Sequence, residues 1–229
     1  QDNTAIGNAA LNQNSTGNNN SAVGSYALDA NTTASNNTAV GYAALSENTT
    51  GTANVALGSY ALDAATTASF NTAVGYGALT ANTTGSYNTV VGRDSLEANT
   101  TGAYNTIVGH EAMQHCTSGN QNIAIGRMAG QYITTGQYNI SIGSIANGWS
   151  VTDKTGEFNI HIGYATNPSG ASVSNEIILA TGNDGGTARG ANTFFVDNVN
   201  NGVFNSANGA NWNTTSDQRI KKNIVDNNT

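Results

Sequence analysis

The sequence predicts an all-β fold, a parallel β-solenoid of about ten 17-residue coils, and three observations carry this prediction. One glycine recurs ten times, at eight steps of 17 residues and a last step of 20. An asparagine stands four residues before each of these glycines, and the residues between the two alternate in size. A fixed period of this length is typical of stacked repeat architectures. We call these positions the repeat glycines: Gly7, Gly24, Gly41, Gly58, Gly75, Gly92, Gly109, Gly126, Gly143 and Gly163.

The segment before each repeat glycine is predicted to be a short strand. The residue directly before the glycine is large and aliphatic, as in Val74, whereas the residue two before is usually small, as in Ala73. Alternation over a few residues bounded by Asn and Gly indicates a β-strand. We expect one face of the strand to fill the coil interior. The other face, where small alanines allow close approach, should meet a second chain or a second sheet.

The remainder of each unit carries two further marks. An apolar residue, usually leucine as in Leu45, stands four residues after the repeat glycine, and an Asn-Thr-Thr-Gly turn such as residues 48–51 follows. In that turn we expect Gly51 to supply a positive φ and Asn48 to bond nearby backbone. Recurrent glycine and β-branched residues argue against a helix. Each unit is therefore predicted to be strand, corner, short strand and turn, and ten coils would form a rod on the order of 50 Å long.

The composition excludes several classes of protein. Only 9% of the residues are charged and the net charge is −7, so the chain has no basic stripe for nucleic acid. No apolar run reaches the length of a membrane span, and the single Cys116 excludes an intrachain disulfide. No catalytic triad, carboxylate pair or phosphate loop is recognisable in the repeats, so we do not expect an enzyme. Because large apolar residues are sparse, we expect a homo-oligomer with chains side by side about a long axis.

The repeats resemble those of two groups of fibrous proteins. The Asn-x-Ala-Ile/Val-Gly strand resembles the head repeat of trimeric autotransporter adhesins, although the period here is longer. The run Asn-Thr-Ala-Val-Gly-Tyr followed by Asn-Thr-Thr-Gly, at residues 37–51, is more similar to the repeats of bacteriophage tail fibres and related viral surface proteins. The resemblance covers about residues 3–166. It implies a homotrimeric, extracellular virion tail fibre or spike that contacts other tail proteins and attaches to a host cell-surface receptor, with polysaccharide as one candidate.

The pattern changes at Pro168, where Pro-Ser-Gly forms a breaker cluster and the regular spacing is expected to end. We therefore divide the chain into a repeat solenoid at residues 1–167, a β-rich stem at 168–215 and the start of a further domain at 216–229. In a trimer, the stem would be an intertwined β structure.

The last of these segments carries its own resemblance. Residues 216–224 resemble the opening of the intramolecular chaperone domain that ends endosialidases and many phage tail fibres. The resemblance implies that this domain trimerises the fibre and then cleaves itself off. Ser216 would be the nucleophile, the bond between Ser216 and Asp217 would be cut, and Lys221 would assist. A serine hydroxyl requires such activation to attack a carbonyl. The alternative is that the basic residues of this segment form a solvated tail.

The residue just after each repeat glycine varies more than its neighbours and forms a candidate binding ridge. Arginine and histidine in neighbouring units, next to Asp94 and Glu111, suggest contact with an anionic or saccharide ligand, with aromatic rings as platforms. The alternative is an exposed edge whose alternating charges discourage edge-to-edge pairing. The candidate ridge residues are Tyr42, Tyr76, Arg93, His110 and Arg127.

His161 is a candidate metal or anion ligand, the one cofactor site that we consider. It occupies the normally small position of its strand, and if that face lined a trimer axis, three copies would converge. The alternative is a histidine that faces solvent. The cluster of His110, Glu111, His115 and Cys116 matches no zinc spacing.

Two other functions remain open. One is a bacterial trimeric surface adhesin, which would carry a membrane anchor in place of a chaperone. The other is an ice-binding solenoid, because the threonine pairs at 49–50, 83–84 and 100–101 would stack into regular rows.

Overall fold

The computed structural model describes residues 2–148, 153–181, 194–198, 203–205 and 213–214. It is an all-β parallel solenoid of about ten turns, as the period predicts, and the described residues contain no helix. The strands form one sheet in chain order, parallel from the first to the twelfth. They are β1 (Thr4–Ile6), β2 (Ser21–Val23), β3 (Thr38–Val40), β4 (Val55–Leu57), β5 (Thr72–Val74), β6 (Thr89–Val91), β7 (Thr106–Val108), β8 (Ile123–Ile125), β9 (Ile140–Ile142), β10 (Ile160–Gly163), β11 (Ile177–Thr181), β12 (Phe194–Asn198), β13 (Val203–Asn205) and β14 (Asn213–Thr214).

The register follows the sequence period. Strands β1 to β9 pair at offsets of 17 residues, and β9 pairs with β10 at an offset of 20. The pairing then returns to 17, with Ile160 opposite Ile177 and Ile177 opposite Phe194. The parallel sheet thus continues beyond Pro168, where we had expected the regular spacing to end. Glu176 in the asparagine position and Ala180 in the glycine position hide this continuation from pattern reading.

The small strand residues line the interior of the solenoid. Ala22, Ala39, Ala56 and Ala73 are completely buried, whereas the aliphatic residues next to them are not. The expectation that the small face meets a second chain or sheet was therefore wrong. The physical reason is that this residue faces the closed interior of the coil, where it packs with the buried leucine column that includes Leu62. Val90 and Ile107 fill the same interior position in β6 and β7.

The outer strand face carries an exposed aliphatic column beside a column that is Thr or Ser in six of its ten positions. We use this term for the residues one and three positions before each repeat glycine and for the equivalent residues of β11 and β12. Ile6 is 60% exposed, and Val40, Val91 and Val108 are 37–39% exposed. This face alternates with the buried one, as the period-two pattern requires.

The leucine column lies in a tight turn and not in a second strand, contrary to our expectation. Leu28, Leu45 and Leu62 have φ values of 52–53°, in the left-handed region. The Leu28 N–H donates to the Ala44 carbonyl of the next coil at 3.0 Å, which satisfies the backbone without a strand. The turn carries these leucines into the interior, where they are completely buried.

The glycine of the Asn-Thr-Thr-Gly turn is tightly packed but does not have the positive φ that we expected, which is a second correction. A Cβ on Gly51 would lie 2.5 Å from Asn48 Oδ1 and closer still to the Ala68 carbonyl oxygen. Ala34 and Ala68 occupy the same column in neighbouring coils. The other part of the expectation was confirmed, because Asn48 Nδ2 donates to the Gly51 carbonyl at 3.0 Å.

The asparagine before each strand forms a buried ladder along the rod. Asn71 is typical: its N–H donates to Asn54 Oδ1 at 2.9 Å and its Nδ2 to the Gly85 carbonyl at 3.0 Å. Its own Oδ1 accepts from the Asn88 N–H at 2.9 Å. Each side chain therefore joins three neighbouring coils, which explains why asparagine recurs at this position.

Candidate functional site

The structure places the candidate ridge residues on successive coils. The Asp94 N–H donates to the Tyr76 carbonyl at 2.9 Å, and the Glu111 N–H donates to the Arg93 carbonyl at 3.0 Å. His110 is tied in the same way to the next coil through the Met128 N–H at 2.9 Å. The ridge is therefore continuous, but its two halves differ in chemistry.

Two of the three candidate cations of the ridge, Arg93 and His110, are paired with carboxylates, whereas Arg127 Nη1 contacts Met128 Sδ at 3.0 Å. Arg93 Nε lies 2.7 Å from Asp94 Oδ2, and His110 Nε2 lies 3.5 Å from Glu111 Oε1. The hydrogen bond to Asp94, and then its charge, raise the pKa of Arg93 above its ordinary value. Because an acid accompanies Arg93 and His110, these two residues have little net attraction for an anion and fit the alternating-charge edge. Arg127 has no ion pair among the described residues.

The tyrosine half of the ridge belongs to a longer aromatic row. Tyr26, Tyr42, Tyr60 and Tyr76 follow one another on four neighbouring coils with ring centroids 5.3–5.9 Å apart, each edge-on to the next. They are 38–55% exposed. Sequence reasoning missed Tyr26 and Tyr60, because they stand two residues after the repeat glycine while the other two stand one after it. The alternation of Gly-Ser-Tyr and Gly-Tyr units is the signal that could have revealed them.

A groove runs beside this row, and we call it the tyrosine groove. It consists of two adjoining cavities of about 360 Å³ and 280 Å³ that share Tyr60 and Asp63. Partial burial, followed by the neighbouring phenols of Tyr42 and Tyr76, raises the pKa of Tyr60 above its ordinary value. Besides the tyrosines, the walls carry carboxylates and no Lys or Arg: Asp29, Glu47, Asp63, Asp94 and Glu97.

We compared the chain with protein-family models, with curated proteins and with solved structures. None of the three comparisons found a match. The described part of the chain has no helix that is long and apolar enough to cross a membrane. Within the same residues, no group of three or more His, Cys, Asp or Glu side chains could hold a metal ion.

A second aromatic column lies five residues before the repeat glycines. Phe70, Tyr87 and Tyr104 stack face to face with ring centroids 4.9 Å apart, and Tyr138 stacks on Phe158 at 4.7 Å. These rings are 45–57% exposed, but they line neither cavity of the tyrosine groove. Flat stacks of this kind stabilise neighbouring coils against each other.

His161 lies inside its own coil and not on an outer surface. It is completely buried, it is paired in register with the buried Ser141, and neither ring nitrogen has a hydrogen-bond partner among the described residues. Burial, together with the nearby Lys154, lowers the pKa of His161 to about 3. An axial site built from three copies would require this ring to reach a trimer axis. An enclosed position in one chain does not allow that, so this expectation was wrong.

Lys154 lies in the same part of the solenoid, in the 20-residue step between β9 and β10. Its side chain is almost completely buried and its Nζ donates to the Asn147 carbonyl at 2.7 Å. Burial lowers the pKa of Lys154 to about 8. Cys116 is buried in the turn-asparagine column, and burial raises the pKa of its thiol to about 12, which makes it unreactive.

The proposed cleavage residues, Ser216 and Lys221, lie outside the described residues. The expectation for the chaperone segment therefore remains a prediction from resemblance.

Proposed function

We propose that the chain is a structural and host-recognition segment of a trimeric viral tail fibre or spike. Its role is to extend and display a surface that binds the host, and its trimerisation is completed by a self-cleaving chaperone domain that begins at residue 216. In this proposal the outer strand face is the contact between chains, and the tyrosine groove lies on the surface that remains free.

The exposed aliphatic character of the outer strand face is the observation that carries this proposal. Along a rod on the order of 50 Å long, the residue before each repeat glycine forms an unbroken apolar strip, which Val55, Ile123, Ile140 and Ile160 widen. Soluble monomers rarely expose contiguous apolar patches larger than a few hundred square ångströms. Val91, Val108 and Ile125 are each at least 37% exposed on neighbouring strands. Burial against two identical chains would remove this strip from water, as a parallel homotrimer requires.

The resemblance of the repeats and of residues 216–224 supports the viral assignment. The repeats alone fit any trimeric surface fibre, and the bacterial adhesin therefore remains the alternative. The kind of domain encoded downstream of residue 229 separates the two, because a membrane anchor would support the adhesin and a self-cleaving chaperone would support the tail fibre.

The ice-binding alternative has weaker support. In each threonine pair the first hydroxyl is already used, since Thr49 Oγ1 donates to the Thr66 carbonyl at 3.0 Å and Thr83 Oγ1 to the Thr100 carbonyl at 3.0 Å. The second threonine, such as Thr50, is exposed. Within these pairs, only the row of second hydroxyls therefore remains for contact with ice, and a thermal-hysteresis assay would test it.

The solution mass of the chain, measured by light scattering with and without the downstream domain, tests the main proposal. We expect a species of about 70 kDa, three chains of 23.4 kDa, when the downstream domain is co-expressed and released at Ser216. The double variant Val91→Asp/Val108→Asp should give folded monomers, because it places charges in the contact. The matched control Thr67→Asp/Thr84→Asp, on an exposed column away from that face, should remain trimeric. A well-folded wild-type monomer would overturn the proposal.

A further inference from the structure

We propose that the tyrosine groove binds a linear glycan built of neutral or amino-bearing sugars, and that it excludes anionic glycans. The proposal rests on the proposed function in one respect, because a display fibre is the setting in which such a groove would meet a host surface. It deepens that function by naming the class of ligand.

The spacing of the tyrosine rings favours an extended polymer. The coils advance by about 4.8 Å, the distance between neighbouring parallel strands. The ring centroids from Tyr26 to Tyr76 follow at 5.3–5.9 Å. One pyranose of a linear chain advances by a comparable distance, so successive sugars would meet equivalent surroundings on successive coils. The two adjoining cavities, of about 360 Å³ and 280 Å³, give room for several sugar rings.

The chemistry of the walls favours sugars over a purely apolar ligand. An exposed tyrosine offers a ring for C–H packing and a phenol for hydrogen bonding. Carboxylates accept strong charge-assisted hydrogen bonds, and a sugar supplies hydroxyl donors in repeating positions. Asp29, Asp63 and Glu97 place such carboxylates along the walls of the groove.

The charge of the groove sets its selectivity. Asp29, Glu47, Asp63, Asp94 and Glu97 line it, and the one guanidinium beside it, on Arg93, is already paired with Asp94. Uronic or sialic acid residues would meet several carboxylates at once and would be repelled. An amino sugar would gain both a carboxylate partner and a cation–π contact with a tyrosine ring.

The groove is also preorganised. Ser46 donates to Asp63 from the neighbouring coil, Thr80 Oγ1 donates to the Tyr60 carbonyl at 2.5 Å, and the Tyr60 N–H donates to the Tyr42 carbonyl at 2.9 Å. Lining residues held in this way lose little entropy on binding, which favours affinity for a repetitive ligand.

Isothermal titration calorimetry with three hexasaccharides tests the proposal. The probes are cellohexaose, the hexamer of glucosamine and a hexamer of sialic acid, each titrated into the wild-type chain after light scattering has recorded its oligomeric state. We expect binding of the first two, tighter for the glucosamine hexamer, and no binding of the third. Because the oligomeric state is recorded separately, a monomer that binds glycans would overturn only the fibre proposal, and a trimer that binds none would overturn only the groove.

Two variants locate the site. Tyr42→Ala/Tyr60→Ala should weaken the binding of both glycans by about tenfold or more, because it removes central aromatic anchors. The control Tyr87→Ala/Tyr104→Ala removes equally exposed rings from the second aromatic column and should leave binding unchanged. Asp63→Asn should weaken the binding of the glucosamine hexamer more than the binding of cellohexaose. Three outcomes would each overturn the assignment. They are equal effects of the two double variants, binding of the sialic acid hexamer, and binding of a lysine hexapeptide in place of the glycans.

Discussion

At the scale of single residues, the fold depends on positions that no other amino acid can fill. Gly75 is the clearest case, with a φ of +137° and its Cα facing the next coil. A Cβ there would lie 2.5 Å from the Gly92 carbonyl oxygen. Both the backbone conformation and the space exclude a side chain, which explains why this glycine recurs from the first coil to the tenth.

We expect Gly75→Ala to destabilise the chain severely. Strain in that region of φ and ψ costs about 1–3 kcal/mol, and the steric clash adds to it. The matched control is Gly77→Ala, in a column where Ala43 already adopts a φ of 51°. Urea unfolding followed by circular dichroism would compare the two variants, and similar midpoints would contradict this explanation.

The asparagine ladder makes a second prediction at this scale. Asn71→Ala leaves the Asn88 N–H without its acceptor and removes one of the two amide groups that donate to the Gly85 carbonyl. Each buried group left unpaired costs about 1–3 kcal/mol, so the urea midpoint should fall clearly. Thr67→Ala, on the exposed column, should change it little. An unchanged midpoint for Asn71→Ala would mean that the ladder is only a consequence of the fold.

The enclosed histidine predicts a pH dependence. The pKa of His161 is about 3 in the folded chain and near its ordinary value of 6.5 when unfolded. Between these values the unfolded chain binds more protons, so the free energy of unfolding falls as the pH drops from about 6.5 towards 3. His161→Ser, which copies Ser141 of the adjacent strand, should lose this part of the acid sensitivity. Denaturant titrations of both chains at several pH values would check it, and parallel pH profiles would refute it.

At the scale of the elements, each coil closes through left-handed turns at ordinary side chains and not through a second strand. In the coil that carries β4, Tyr60 and Leu62 have φ values of 60° and 52°. These turns bring Leu62 inside and leave Tyr60 outside, which creates the buried column and the tyrosine row in the same step. The binding surface that we propose is thus a product of how the coil closes.

At the scale of the whole molecule, the chain behaves as a stack whose units contact only their neighbours. Stability in such a stack is a sum of unit and interface contributions. Removal of one whole period should therefore leave a shorter but native-like rod, whereas removal of a length that is not a multiple of the period should not.

Deletion of residues 55–71, which joins Asn54 to Thr72, tests this. It removes 17 residues and keeps every column in register, so we expect a native circular dichroism spectrum and a cooperative melt. Deletion of residues 55–70 removes one residue fewer and turns buried positions outward on one side of the junction. If the two deletions were equally stable, the columns would not determine the fold.

The sequence by itself determined the solenoid, its strands, its asparagine column and its lack of basic surface, because all of these are properties of one repeating period. It left undecided which strand face lies inside, since alternation separates two faces without showing which one encloses the core. Only the tertiary structure decided that the alanines are buried and the aliphatic face is exposed, because this depends on how the coil closes. For the same reason, only the structure placed His161 inside, joined Tyr26 and Tyr60 to Tyr42 and Tyr76, and gathered the carboxylates beside them.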